Sequence, residues 1–360
     1  MLHVPPPLRI DNQFAYRPTS STTGALIAIL DKISELLKSN DYVFCVTFDY
    51  SKAFDTLSHS SVASKLAKLD LPDNAYNWVI DYLEGRNHCT ILGGKSSSLL
   101  TINASVVQGS VLGPNLFNIN STELITKSAQ NFYFKYADDA YLIVPSSNLH
   151  TLNDELSHHE TWAKSCNLKF NANKTAEIVF HAHAKLPEPP ANLGVQRVPS
   201  IKVLGVLMDN KLNFQEHVST TIAACSSSLF ALRVTRQYGL SEEMLQNVFK
   251  VAVLSKLMYA SPAWSGFMSK TLLDRFEAFL RRAVKFGYYK TSDPKASDLL
   301  LKADLGLFNK ILHNEHHVLN YLLPPHKKTK YYLRSSGHGR VLPHKDDKNF
   351  MNRLLYYNIY

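Results

Sequence analysis

Phe132-Tyr133-Phe134-Lys135-Tyr136-Ala137-Asp138-Asp139-Ala140-Tyr141-Leu142-Ile143-Val144 sets two adjacent carboxylates between two β-rich apolar runs, where a hairpin turn belongs. Taken alone, an Asp pair is most often a solvated turn. A third acid changes that reading. Val43-Phe44-Cys45-Val46-Thr47-Phe48 has the unbroken apolar character of a buried central strand, and Asp49 stands at its end, opening Asp49-Tyr50-Ser51-Lys52-Ala53-Phe54-Asp55. Two aspartates at a hairpin tip and one at the end of another strand can hold a pair of divalent cations. Such ions lie roughly 3.5–4 Å apart and clamp both oxygens of an in-line phosphoryl displacement.

The chain has 360 residues, enough for two or three domains with a sizeable core. No apolar run reaches membrane-span length, and Met1-Leu2-His3-Val4-Pro5-Pro6-Pro7 does not read as a signal peptide, so an intracellular protein with no membrane partner is expected. Cys45, Cys89, Cys166 and Cys225 are separated by dozens of residues, which suggests neither a zinc site nor a disulfide framework. They read as reduced, mostly buried thiols. The net charge of +9 is concentrated: residues 281–360 hold 15 Lys and Arg against 6 Asp and Glu, while the first 280 residues balance. That excess reads either as a basic, partly disordered tail or as a phosphate-contacting extension whose affinity would fall with salt.

Upstream of the acids, Thr23 begins a helix with Leu26, Ile29, Leu30, Ile33, Leu36 and Leu37 on one face and Ser or Thr N-caps ahead of it. Helices are expected at 60–69 and 73–84. Strands are expected from His88 to Leu92 and from Leu99 to Val107, joined at Gly93-Gly94, and a helix from Gly113-Pro114. A helix from Leu149 to Cys166 follows the Asp pair. Strands from Glu177 to His181 and from Ile201 to Met208 flank a loop with Pro187, Pro189, Pro190 and Pro199. Beyond Asn213 the pattern is helical to about Tyr289, in segments Val218–Tyr238, Glu242–Tyr259 and Leu272–Phe286.

From about Gln13 to about Gly287 the order of motifs resembles the reverse transcriptase of a non-LTR, LINE-like retrotransposon. Gln13-Phe14-Ala15-Tyr16-Arg17 with Ser20-Ser21-Thr22-Thr23 is similar to its fingers segment. Asp49 to Asp55, then Gln108-Gly109-Ser110-Val111-Leu112-Gly113-Pro114, then Tyr136 to Asp139 match three palm motifs. Asn167 to Thr175 and Lys202-Val203-Leu204-Gly205-Val206 resemble the fourth motif and the primer grip. Each string is weak by itself; five in order are specific.

The resemblance implies an α+β fold, a right-hand polymerase palm with partial fingers and an all-helical thumb. It divides the chain into partial fingers (1–40), a palm with inserted fingers helices (41–212), a helical thumb (213–290) and a basic C-terminal extension (291–360). It implies an RNA-directed DNA polymerase using two Mg²⁺ ions, with Mn²⁺ as the alternative, acting on an RNA template, a DNA primer and deoxynucleoside triphosphates. Asp49 and Asp138 would be ligands to both metals, with Asp139 the third carboxylate; oxygen ligands suit Mg²⁺. Tyr50 would offer its backbone near the triphosphate. Phe54 would be the steric gate against a 2′-hydroxyl, the alternative being a core Phe. Gln108 and Gly109 would meet the nucleotide or template base, with glycine permitting close backbone approach. Arg17 would face the triphosphate, or be an ordinary exposed arginine. Lys174 would be general acid toward pyrophosphate, or a solvated lysine. Leu204 and Gly205 would form the primer-grip hairpin. Trp162 and Trp264 could stack on bases but read first as packing, as do His158-His159, His181 and His316-His317, which lack partners at metal spacing.

Against the family pattern, only about forty residues precede the first palm motif, and polar Asn115 and Asn120 interrupt the helix behind Gln108. Neither an upstream endonuclease nor a C-terminal knuckle or ribonuclease H pattern is legible. The rival reading is therefore a decayed or co-opted remnant that binds nucleic acid without polymerising. A DNA-copying or template-independent polymerase would share the same acids. Family resemblance favours nuclear action, with His326-Lys327-Lys328-Thr329-Lys330 the single basic cluster to support import.

Overall fold

The structure is a computed structural model that describes residues 10–171, 174–183, 186–191, 194–327 and 338–357. Its first half runs α1 (Thr22–Leu36), β1 (Tyr42–Phe48), α2 (Ala53–Thr56), α3 (His59–Leu66), α4 (Asp73–Leu83), β2 (Asn87–His88), β3 (Ile91–Leu92), β4 (Lys95–Ser96), β5 (Leu100–Thr101) and α5 (Leu112–Ser121). Next come β6 (Phe132–Tyr136), β7 (Asp139–Pro145), α6 (Leu152–Ser165), β8 (Ala176–His181), β9 (Gln196–Arg197), β10 (Ser200–Val203) and β11 (Val206–Asp209). Helices α7 (Gln215–Gln237), α8 (Glu242–Val248), α9 (Ser255–Leu257), α10 (Ser261–Trp264), α11 (Lys270–Lys285), α12 (Ala296–Leu312) and α13 (Phe350–Leu355) follow. The described residues fall into two compact units. One holds the chain up to Arg17, Tyr42–Val179 and Glu188–Arg197; the other holds Pro18–Asp41, Phe180–Pro187 and Val198 onward.

The first unit is built on a five-stranded sheet in the order β6-β7-β1-β8-β9, with β1 at its centre as its apolar run requires. β1 and β7 pair antiparallel from Val43↔Pro145 to Phe48↔Ala140, and β6 and β7 from Phe132↔Ile143 to Tyr136↔Asp139. Side chains alternate between faces. Phe44, Val46 and Phe48 of β1 therefore share a face with Ala140, Leu142 and Val144 of β7, and all six join one core with Val62 of α3, Phe117 of α5 and Trp162 of α6. The free cysteines fit the sequence reading: Cys45, Cys166 and Cys225 are buried and Cys89 is exposed.

Polar side chains inside this unit are wired rather than merely tolerated. The buried Glu155 carboxylate on α6 accepts from Lys127 N (3.1 Å), Ser128 N (2.9 Å) and Asn131 Nδ2 (2.9 Å), fixing the loop into β6. Buried Lys135 of β6 donates to Ser121 O (2.6 Å) and Leu124 O (3.1 Å), while Lys65 of α3 donates to Asn120 O (2.6 Å). Both lysines thus serve the orphan carbonyls and negative dipole end of α5. Burial, with Lys65 nearby, pushes Lys135 down to about 7. The asparagines of α5 also find work: Asn118 Nδ2 donates to Ala15 O (3.0 Å), and Asn120 accepts from Ser61 Oγ (2.8 Å).

His159, grouped in the sequence with packing histidines, is fully buried between two tyrosines. Tyr50 Oη bonds its Nε2, Tyr133 Oη bonds its Nδ1 at 2.9 Å, and the Phe48 ring stacks on it.

In the second unit Ser21 caps α1 by accepting from Gly24 N, and burial wraps further round α1 than the expected stripe, taking in Ala25, Ile27 and Ala28. β10 and β11 pair as a hairpin. The expected helix Glu242–Tyr259 is broken by a π-helical turn at Phe249–Leu254. Arg275 and Arg282 of α11 donate to Ser219 (2.8 Å) and Ser226 (2.5 Å) of α7.

Three expectations need correction. The strands set at His88–Leu92 and Leu99–Val107 are short, exposed two-residue pairs, β2 with β5 and β3 with β4, because this segment lacks a covered face to sustain longer pairing. The strand expected from Ile201 to Met208 is split in two by the hairpin expected at Leu204-Gly205. Helical structure continues past Tyr289 through α12 and α13, where Asp304 is buried and pairs with Arg353 at 2.5 Å.

Replacing His159 by Phe keeps the ring but leaves two buried hydroxyls without their partner, an expected loss of about 2–4 kcal/mol in denaturant unfolding. Burial first, then His158 and Lys135, pushes His159 down to about 3. The unfolded imidazole takes its proton near 6.5, so stability present above that pH drains as pH falls from about 6.5 toward 3. H159F should remove the His159 share of the slope, leaving buried His217, pushed down to about 4, with the same sign and Asp31, Asp139 and Asp304, raised to about 6, with the opposite one. An unchanged slope contradicts the assignment.

Candidate active site

The Asp pair enters the structure through the register of β7. Tyr136↔Asp139 closes β6 and β7 with only Ala137 and Asp138 between them, a two-residue hairpin. Ala137 takes the left-handed conformation (φ 54°) that such a turn demands. Asp138 therefore stands in the turn and Asp139 opens β7. Phe48↔Ala140 is the last pair of β1 with β7, so Asp49 follows next to Asp139 on the face opposite the α3/α5/α6 core.

The three acids act on one another's charge. Burial raises Asp139 to about 6, with Asp138 and then Asp49 adding to it, against Lys174 and a hydrogen bond from Tyr141. Asp138 is also raised, by burial first and by Asp49, against its own backbone N–H and Lys174. Lys174 Nζ lies 3.4 Å from Asp49 Oδ1. Among the described residues no three acidic, histidine or cysteine side chains already stand as a metal-ligating group. The acids are close enough to repel one another, while Asp49 is drawn to the lysine.

The remaining expected residues fall as follows. Tyr50 turns its side chain into the core, and its backbone lies beside Phe170 in an antiparallel bridge, with Ser51 N donating to Lys169 O (2.9 Å) and Asn171 N to Asp49 O (2.9 Å). Half-buried Phe54 stacks on Phe117 at 4.8 Å. Gln108 is exposed and its amide donates to Asp55 Oδ1 at 3.0 Å, linking two palm motifs. Gly109 has φ 85°. At Gly113 a Cβ would lie 2.8 Å from Val107 O, so this turn into α5 admits only glycine. Arg17 donates through Nη1 to Ile10 O (2.7 Å) and Gln13 O (3.0 Å), fastening its own segment. Ala172 and Asn173, and Lys328-Thr329-Lys330 of the basic cluster, lie outside the described residues.

Leu204 and Gly205 lie in the second unit, at the tip of the β10–β11 hairpin, both at positive φ. Tyr259 Oη is 2.9 Å from Leu204 O, and its ring would sit 3.1 Å from a Cβ at Gly205. Trp162 and Trp264 are buried packing residues.

Two residues beside the acids had no role in the sequence reading. Buried Gln13 accepts at Oε1 from Ala137 N (3.1 Å) and Ala15 N (2.9 Å). Tyr16, at φ 57° with its ring half exposed, has its hydroxyl raised by burial and by Asp138. The Gln13–Arg17 string signalled a family, but nothing in its spacing from Asp138 marked it as a neighbour of that turn.

The raised acids carry a sign that can be tested. A carboxyl bound more tightly to its proton when folded leaves stability intact below its unfolded value near 3.9 and costs stability as pH rises from there through about 6. Asp139→Asn should therefore raise the melting temperature of metal-free protein by a few degrees at pH 7 and by little at pH 4. A lower melting temperature at pH 7 contradicts the shared field.

Residues 3–208 match the family described as reverse transcriptase (RNA-dependent DNA polymerase). The chain is 25% identical over 289 residues to the RNA-directed DNA polymerase from mobile element jockey of Drosophila melanogaster, covering 76% of this chain and 31% of that protein. It is 27% identical over 292 residues to the probable RNA-directed DNA polymerase from transposon BS of the same fly, covering 76% and 32%. The chain thus spans about a third of the length of these curated relatives. Apo telomerase from Candida Tropicalis superposes with a TM-score of 0.42 at 14% identity, over 86% of this chain and 57% of that one, a likeness too loose to draw on. The match over 3–208 settles the family: the chain belongs to the reverse transcriptases, with a palm-type polymerase fold.

Proposed function

We propose that this chain is an RNA-directed DNA polymerase module that extends a DNA primer with deoxynucleotides along an RNA template. The observation that carries the reading is the register that sets Asp49 at the end of β1 beside Asp139, with Asp138 in the turn just before it. Three such acids repel without a counter-charge. Hard carboxylate oxygens suit Mg²⁺, so Asp49, Asp138 and Asp139 would be the residues that hold the two ions the family implies. When bound, the ions would supply activation of the primer hydroxyl and neutralisation of the triphosphate. Lys174, 3.4 Å from Asp49 Oδ1, would give a proton to departing pyrophosphate. Phe54, propped on Phe117, serves as the gate against a 2′-hydroxyl. Gln108, steadied by Asp55, faces the nucleotide or template.

The finer division follows the same reading. Residues 41–212 form the palm with inserted fingers helices, 1–40 partial fingers, 213–290 the thumb, and 291–360 a basic extension toward nucleic acid. Leu204 and Gly205, braced by Tyr259, grip the primer end. A second reading, a remnant that binds nucleic acid without polymerising, draws on Arg17, whose guanidinium is spent on Ile10 and Gln13 carbonyls rather than held open for a triphosphate.

Primer extension on an RNA template with Mg²⁺ separates the two. Asp138→Asn is expected to lower the rate by about 10²–10³-fold or more, as loss of one aimed electrostatic group does. Template binding with no extension in wild type or variant instead supports the remnant. Phe54→Val is expected to raise ribonucleotide use relative to deoxynucleotide use in the same assay; an unchanged ratio removes Phe54 from the gate.

A further inference from the structure

We propose that Gln13 is a positioning residue of this site, holding the Ala137 peptide so that Asp138 projects correctly. The inference rests on the reading that Asp138 carries the chemistry. The Gln13 side chain grips both sides of Ala137. Its Oε1 accepts from Ala137 N at 3.1 Å, and its Nε2 donates to Ala137 O at 3.4 Å. The amide therefore pairs with both the N–H and the C=O of one residue, as a strand partner would.

Ala137 needs such a hold. Its φ of 54° lies in the left-handed region, where a residue with a Cβ costs roughly 1–2 kcal/mol. Glycine or asparagine would take that conformation more readily, yet alanine stands there. An alanine turn left to itself would sample other conformations and move Asp138 with it. A second fastening fixes Gln13 in turn. Gln13 forms a parallel bridge with Lys135, with Phe14 N donating to Lys135 O (2.8 Å) and Lys135 N to Asn12 O (2.7 Å). Oε1 also accepts from Ala15 N at 2.9 Å, which sets the rotamer. Farther along, Asn118 Nδ2 holds Ala15 O at 3.0 Å, tying the segment to α5. Gln13 itself is wholly buried, so water does not compete for these bonds.

The test is Mn²⁺ affinity, measured by calorimetry on wild type, Gln13→Met and Gln13→Glu, beside metal-free melting temperatures. Met keeps the length and packing but removes both bonds; Glu keeps the acceptor. Partners that orient a metal ligand are worth about 10–100-fold in affinity, so Q13M is expected to bind Mn²⁺ at least about tenfold more weakly. Q13E is expected to stay within about threefold of wild type. In extension assays on Q13M, kcat falls while the nucleotide KM holds. A lower melting temperature with unchanged Mn²⁺ affinity makes Gln13 merely structural and overturns the inference, as does Q13E weakened as much as Q13M. If Q13M does not fold, hydrogen exchange of the wild-type Ala137 amide decides: slow exchange supports the clamp and free-turn exchange overturns it. Wild-type protein that binds no Mn²⁺ overturns the metal reading of the acids, a different failure from that of Gln13 alone.

Discussion

Repulsion among Asp49, Asp138 and Asp139 is the constraint around which the first unit is organised. A sheet end that collects three acids is unfavourable unless something compensates, and burial makes it worse by stripping water from each carboxylate. Asp139, raised to about 6, registers that cost directly. Lys174 relieves part of it from the rim, and the N–H of Asp138 and the hydroxyl of Tyr141 relieve a little more. What remains is stored at the place where a cation can use it. Structural strain at a site, compensated elsewhere in the fold, is the expected pattern for such chemistry.

The compensation lies beneath and beside the acids. Under Asp49 and Tyr50, the Tyr50–His159–Tyr133 chain and the Phe48 ring make a rigid floor that carries no charge at neutral pH. Beside the hairpin, Lys135 neutralises the carbonyl end of α5 from within the strand that leads to Asp138. One strand thus ties the acid turn to the helix behind Gln108. Asn120, one of the two asparagines that interrupt the apolar pattern of that helix, and Asn118 beside it serve as hydrogen-bonding anchors.

Much of this was legible in the sequence, for definite reasons. The apolar run at 43–48 could only be a buried strand, and acids at strand ends and turns declare themselves by what flanks them. Motif order supplied the family. The parts that escaped depend on distance in space rather than spacing in the chain. Gln13 meets Ala137 across 124 residues, and His159 meets Tyr50 across 109, with no local pattern to announce either. The exposed pairs at 87–101 failed as long strands because alternation alone does not supply a face to bury against. The stretch beyond Tyr289 was read by its net charge alone, although α12 buries Ala296, Leu300, Phe308 and Ile311 along one side.

The shared field is the central claim, and the carboxyl carbon of Asp139 reports on it most directly. Followed by carbon NMR through a pH titration, it should titrate near 6 without metal and drop when Mg²⁺ is added. A titration at the ordinary aspartate value of about 3.9, unmoved by Mg²⁺, would mean that the three acids do not form one site.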